Sequence, residues 1–240
     1  MINENELLWL DPNDSESVYQ VAQLHKELLT DSPIPQLGDL FMTEFYYKRL
    51  ISADLINCLV YKHKSIVAGF IVITKYPGQF IRKGLSRYLP FVVYILSRAI
   101  IRKPNLIFTL IKVINLGFKR NNARIEDNVS ELLSIGVKSN FRKHIDQSSR
   151  LRISHTLFCN AAKALIKDGY KTFQIITDKN NDRAISFYKS FDVKAEKSNI
   201  NNDKKQILFK LNLQNFDTNT LKNYMNNEEN PKSRTVPLMS

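Results

Sequence analysis

The chain has 240 residues, of which 43% are hydrophobic and 24% charged, and its formal net charge is +12. This composition is ordinary for a globular protein and excludes wholesale disorder and low complexity. Two cysteines cannot form a disulfide framework, and the four histidines show no metal-ligand spacing. The first residues do not look like a signal peptide, and no apolar run approaches the ~20 residues of a spanning helix. We therefore expect a cytoplasmic, metal-free domain over residues 1–213 and a polar tail over 214–240.

The first part of the chain predicts two helices and a hairpin. Apolar residues recur at three- and four-residue spacing over 16–30 and again over 37–51, which predicts two amphipathic helices. The stretches 57–62 and 66–74 are rich in β-branched residues and predict two strands. The polar link between these strands is short, so we expect them to form an antiparallel hairpin.

The segment 82–124 is both apolar and basic. No Asp or Glu occurs from Leu55 to Ile125, a stretch that contains thirteen cations. Its apolar pieces predict two short helices, the first after Pro90 and the second after Pro104. Four side chains at spacings of seven, four and four residues predict one helical stripe: Arg87, Tyr94, Arg98 and Arg102. Such helices are equally compatible with a core position and with an interfacial position on an anionic membrane.

The second part of the chain alternates strands and helices. The predicted elements are a strand over 131–137, a basic loop to about 150, a helix over 152–168 and a strand over 172–177. The segment DKNNDRA then opens a helix that runs through AISFYKSF, and strands over 193–198 and 205–211 follow. This order predicts a mixed α/β or α+β fold with one strand–helix–strand crossover. A helix that begins beside a basic loop also favours a bound anion.

Two motifs carry a resemblance to a known family. Asn181, Ala184, Phe187 and Tyr188 reproduce a late signature of the GNAT superfamily of acyl-CoA-dependent N-acetyltransferases, and the strand 66–74 is similar to that family's third strand. The resemblance implies a mixed, mostly antiparallel central sheet flanked by helices. It places the apolar, basic insertion between the third and fourth strands. It also implies acetyl-CoA as the acyl donor.

The same resemblance implies which residues bind the donor. The backbone of the strand 131–137 would hold the pantetheine arm, and the turn before the next helix would hold the pyrophosphate. The residues implied are Ile135, Gly136, Val137, Arg150, Arg152, Ile153, Ser154, His155 and Asn181. The family's pyrophosphate loop has two glycines, which here correspond to Arg152 and Ser154. Either the Arg150 and Arg152 side chains replace the lost backbone contacts, or binding of the donor is weakened or lost.

Two residues would carry the chemistry that the resemblance implies. Tyr188 would be the general acid that protonates the leaving thiolate, and Glu131 would be the base that deprotonates the acceptor amine. The sequence resembles family members of bacterial surface-polysaccharide pathways, which implies an amino sugar on an anionic nucleotide or a lipid carrier as the acceptor. Peripheral contact with an anionic membrane is a further expectation.

The sequence leaves two other hypotheses open. One is a non-catalytic module of the same fold that binds a membrane or a partner through residues 82–124. The other is a nucleic-acid-binding protein, which the net charge alone suggests. The nucleic-acid hypothesis is not favoured, because the cations are embedded among aliphatic residues rather than beside exposed aromatic rings that could stack on bases.

Overall fold

The computed structural model describes residues 5–30, 32–102, 104–106, 108, 111, 128–146, 151–191, 193–196 and 206–216. Three sequence-based expectations lie outside the described residues. These are the role of Arg150, the second half of the insertion beyond residue 111, and the tail beyond residue 216.

Seven strands of the described residues form one sheet in the order β1-β2-β3-β4-β5-β7-β6. The strands are β1 (Asn5–Trp9), β2 (Asn57–His63), β3 (Ile66–Thr74), β4 (Val129–Val137), β5 (Thr172–Asp178), β6 (Lys194–Glu196) and β7 (Gln206–Asn212). Each neighbouring pair is antiparallel except β4 and β5, which run parallel. The expected mixed, mostly antiparallel sheet is confirmed, whereas β1 was not expected.

Helices cover both faces of the sheet. They are α1 (Ser15–Leu28), a π-helix (Phe41–Arg49) that continues into α2 (Leu50–Ser52), α3 (Phe80–Arg87), α4 (Leu89–Arg102), α5 (Ile153–Lys167) and α6 (Asp182–Lys189). The helices α1 to α4 share one hydrophobic cluster with one face of the sheet. The helices α5 and α6 share a second cluster with the other face. The strand β3 is buried along nearly its whole length because both of its faces are covered.

Local turn chemistry explains two of the connections. The β2–β3 hairpin turns through Lys64 and Ser65, whose φ angles of 49° and 67° both lie in the left-handed region. A two-residue turn of this kind matches the twist of the flanking strands. The helix α5 ends before Gly169, which has a φ of 85° and takes the left-handed conformation that commonly stops a helix.

The insertion lies between β3 and β4 as expected, but its helices differ from the prediction. The first helix, α3, already begins at Phe80. Pro90 lies in the first turn of α4. A backbone N–H in the first turn has no acceptor within its own helix, so the N–H that proline lacks costs no hydrogen bond there. Arg87 belongs to α3, so the predicted single stripe is wrong. Within α4, Arg98 Nη1 donates to the Tyr94 hydroxyl at 2.8 Å, and the side chain of Arg102 lies outside the described residues. No helix among the described residues is long and apolar enough to cross a membrane.

Candidate functional site

The strands β4 and β5 separate halfway along their length. Their parallel pairing stops at Leu132 and Ile175. At the same point β4 has a bulge, because Leu133 has no partner in the register between β4 and β3. A bulge bends the strand that contains it. Beyond this point β4 continues along β3 and β5 continues along β7, so the two halves of the sheet diverge.

A cavity of about 790 Å³ opens where the strands diverge. Its walls come from the free edge of β4, the start of α5, the start of α6, the end of α1 and the start of α3. The predicted site residues that line it are Ile135, Gly136, Val137, Arg152, Ser154, His155, Asn181 and Tyr188. No group of three His, Cys, Asp or Glu residues that could hold a metal occurs in the described part of the chain.

The first turn of α5 faces this cavity. Backbone N–H groups of a first turn have no acceptor within their own helix, and here the N-cap residue Arg152 supplies no side-chain cap. Arg152 has φ −61° and ψ 148°, a conformation that any L-residue adopts. The chain therefore needs no glycine there to form the turn. Ile153 is fully buried with its side chain toward the core, so only its backbone can reach a ligand.

The loop before α5 is held in place by a buried carboxylate. The Tyr61 hydroxyl donates to Asp146 Oδ1 at 2.8 Å, and the Asp146 N–H donates to the Leu151 carbonyl at 2.8 Å. A bridge between Ile145 and Arg152 closes the same loop. These contacts fix the loop ends on the sheet and hold Arg152 at the cavity.

His155 is a neutral residue in the wall of the cavity. Burial, with a smaller contribution from the charge of Arg152, lowers the pKa of His155 to about 4. Its Nε2 lies 3.4 Å from Ser190 Oγ, which itself donates to the Phe187 carbonyl at 2.6 Å. The imidazole is therefore uncharged near neutral pH, and the positive charge at this turn comes from arginine side chains and the helix dipole.

Tyr188 lies on α6 where a general acid is expected. It is buried among Phe158, Phe187 and Phe209 and lines the cavity. Burial raises the pKa of its hydroxyl far above the usual value. The phenol is therefore protonated at neutral pH and available to donate.

Two other predicted residues have structural partners of their own. Asn181 lines the cavity and also caps α6, because its Oδ1 accepts from the Ala184 N–H at 3.0 Å. Glu131 is 1% exposed and is not part of the cavity wall. Its Oε2 accepts from the Gly78 N–H at 3.2 Å and from Gln174 Nε2 at 3.3 Å. Because Gly78 does line the cavity, Glu131 lies directly behind the wall.

Arg142, a cation of the predicted basic loop, adds positive charge to the cavity wall. Sequence reasoning did not assign Arg183, which adds further positive charge, or His25 and Tyr46, which line the end near α1. Burial lowers the pKa of His25 to about 3, and its Nδ1 lies 2.7 Å from the Tyr47 hydroxyl. No local motif marks these residues, because they come from segments far apart in the chain. Among the described residues, no Asp or Glu lines the cavity.

Solved structures of acetyltransferases share this fold. The PaiA N-acetyltransferase of Thermoplasma acidophilum, solved in complex with coenzyme A, is 18% identical, with a TM-score of 0.50 over 87% of this chain and 98% of its own. A putative acetyltransferase of the GNAT family from Desulfovibrio desulfuricans is 13% identical, with a TM-score of 0.50 over 87% of this chain and 99% of its own. A probable acetyltransferase from Staphylococcus epidermidis is 12% identical, with a TM-score of 0.51 over 87% of this chain and 98% of its own. No family model and no curated protein matches the sequence. The chain therefore has the GNAT fold.

Proposed function

We propose that this protein is an acyltransferase that moves an acetyl group from acetyl-CoA to a primary amine. One observation carries the proposal. The splay of β4 and β5 opens a cavity with a free strand edge on one side, a helix N-terminus at one end and the Tyr188 phenol in its wall. A strand edge can bind an extended amide chain such as pantetheine, and a helix N-terminus favours a pyrophosphate.

The chemistry assigns a role to each group. The edge of β4 from Ile135 to Val137 binds the pantetheine arm, and a backbone N–H of this edge polarises the thioester carbonyl. The acceptor nitrogen attacks that carbon, the C–N bond forms and the C–S bond breaks. The leaving thiolate takes its proton from Tyr188. The proton of the acceptor amine passes through water at the wall near Gly78 to Glu131.

For the acceptor we propose an amine that carries negative charge, such as an amino sugar on a nucleotide or on a lipid pyrophosphate. The described cavity wall contains Arg142, Arg152 and Arg183 but no carboxylate. Arg142 and Arg152 serve the donor pyrophosphate, which leaves Arg183 for the acceptor. A polycationic acceptor would find no carboxylate in this wall to pair with, whereas a phosphorylated acceptor would pair with Arg183.

Calorimetric titration with acetyl-CoA tests the binding step. We expect saturable binding that weakens in Arg142→Ala and Arg152→Ala, because both side chains supply charge at the pyrophosphate end. Pantetheine without phosphate serves as the control ligand and should bind equally to the wild type and both variants. A folded protein that binds no acetyl-CoA at millimolar concentration would contradict the proposal.

Steady-state kinetics test the chemical step. Tyr188→Phe removes only the donating hydroxyl, so we expect kcat to fall by ~100-fold or more while acetyl-CoA binding is retained. Phe187→Leu is the matched control, because it changes a neighbouring ring without removing a proton donor. An unchanged kcat in Tyr188→Phe would show that another group protonates the thiolate.

A further inference from the structure

One face of α4 exposes large apolar side chains to solvent. Leu89, Val93, Tyr94 and Ile101 are 55%, 57%, 54% and 80% exposed. The spacing of these residues places them along one side of the helix. Phe108, farther along the insertion, is also 67% exposed.

The opposite side of α4 already packs into the core. Val92, Ile95 and Leu96 are each at most 5% exposed and belong to the cluster beneath α1 and the π-helix. A helix that only covers a core places polar residues on its outer side. The outer side of α4 instead exposes four large apolar side chains beside Ser97 and Arg98, and exposed apolar surface of this kind marks an interaction site.

Exposed cations lie on α3 and α4 and have no acidic neighbours in sequence. Lys83 and Arg87 are exposed on α3, and Arg98 is exposed on α4, where its Nη1 donates to the Tyr94 hydroxyl at 2.8 Å. No Asp or Glu occurs between residues 55 and 125. Among the described residues, none of these three cations forms an ion pair. Their charge is therefore available to an external anion.

We propose that the face formed by α3 and α4 docks on an anionic membrane surface. The apolar side chains of α4 enter the boundary between headgroups and acyl chains, and the cations of α3 and α4 contact lipid phosphates. Tyr94 suits this boundary, because its ring is apolar and its hydroxyl stays hydrated. Aliphatic side chains interleaved with cations fit a lipid surface better than a nucleic acid, whose bases need aromatic stacking partners.

The docking face adjoins the cavity. Phe80 and Ile81, in the first turn of α3, line the cavity, whereas Lys83 and Arg87 of the same helix face solvent. A membrane bound by α3 and α4 would therefore lie beside the part of the cavity wall that α3 forms. Membrane docking does not depend on the proposed acyl transfer, because vesicle binding is measured without acetyl-CoA.

Vesicle sedimentation tests the apolar part of the face. Wild-type protein should sediment with vesicles of phosphatidylcholine and phosphatidylserine and much less with phosphatidylcholine alone. The double variant Val93→Glu/Ile101→Glu should lose this binding. Ile166→Glu is the matched control, because Ile166 is an exposed residue of α5 on the other face of the sheet. Circular dichroism confirms that each variant is folded.

Charge reversal of exposed side chains gives a second test. Each cation near an anionic surface strengthens binding by about fivefold, so Arg87→Glu/Arg98→Glu should weaken vesicle binding at least ~25-fold. Lys163→Glu/Lys167→Glu makes the same charge change on exposed positions of α5 and should retain most of the binding. Raising the salt concentration to ~1 M should also weaken binding by the wild type.

Three outcomes would overturn the proposal. The first is no binding of the wild type to anionic vesicles. The second is equal loss of binding in the α4 and α5 variants, which would indicate a general effect of net charge. The third is a wild-type protein that forms a dimer in solution, together with a Val93→Glu/Ile101→Glu variant that is monomeric but binds vesicles as the wild type does. In that case the apolar face would contact a second copy of the chain and not a membrane.

Discussion

Two buried histidines should make this fold sensitive to mild acid. Burial lowers the pKa of His25 to about 3, and burial with the charge of Arg152 lowers the pKa of His155 to about 4, against 6.5 for an unperturbed histidine. The folded-state pKa is the lower one in both cases. As the pH falls below 6.5 the unfolded chain therefore takes up protons that the folded protein does not, and stability is lost across this window until the folded-state pKa is reached.

The size of this loss follows from the two pKa differences. At about pH 5 both imidazoles are protonated in the unfolded chain and neutral in the folded protein, and each contributes a loss of ~2 kcal/mol relative to neutral pH. Together they remove ~4 kcal/mol, a large part of the total stability of a typical domain. Asp14, whose pKa is lowered from 3.8 to about 2, does not contribute here, because its stabilisation is lost only below pH 3.8.

Urea unfolding followed by circular dichroism measures the effect. We compare neutral pH with about pH 5 for the wild type, His25→Gln, His155→Gln and the double variant. Each single variant should halve the pH-dependent loss of stability, and the double variant should nearly abolish it, whatever its stability at neutral pH. A wild type that is equally stable at both pH values would refute the reasoning. So would a double variant that loses as much stability as the wild type.

Three further predictions concern packing around the site. Phe158→Ala should lower the free energy of unfolding by ~4 kcal/mol in urea titrations, because the ring is fully buried against other aromatic rings of α6 and β5. Gly136→Ala should weaken acetyl-CoA binding in calorimetry, because the new Cβ would lie 2.7 Å from Leu28 Cδ1 and 2.9 Å from Phe70 Cε1 and must displace both. Tyr61→Phe removes the hydrogen bond to the buried Asp146 carboxylate in the loop before α5. This variant should therefore have a free energy of unfolding that is lower by ~1–3 kcal/mol and should bind acetyl-CoA more weakly. Normal affinity for acetyl-CoA in this variant would show that the loop is held by its other contacts.

The regular elements of the second part of the chain could be predicted because their signals are local. The apolar periodicity over 152–168 and the glycine after it define α5, and the β-branched run over 172–177 defines β5. The signal for β1 was missed because Asn5–Trp9 is short and is stabilised by pairing with β2, some fifty residues away. Likewise α3 was missed, because it spans only eight residues and includes Gly84, and its buried Phe80 and Ile81 are stabilised by packing against distant segments.

The residues of the candidate site likewise differ in whether a local sequence signal could identify them. A motif of four residues pointed to Tyr188, and the structure places this residue in the cavity wall. Glu131 belongs to a strand that was correctly predicted, but only the tertiary structure shows it behind the wall with Gly78 and Gln174 as partners.

The sequence by itself determined the order of most elements, the basic and acid-free character of the insertion, and the segments that meet at the splayed strands. These properties depend on residues close together in the chain, where periodicity and turn chemistry act directly. Only the tertiary structure decided which arginines join the cavity, how far the two histidines are buried, and that α4 exposes a second apolar side. Those properties depend on which distant segments pack together, because burial and charge proximity are set by neighbours in space and not by neighbours in sequence.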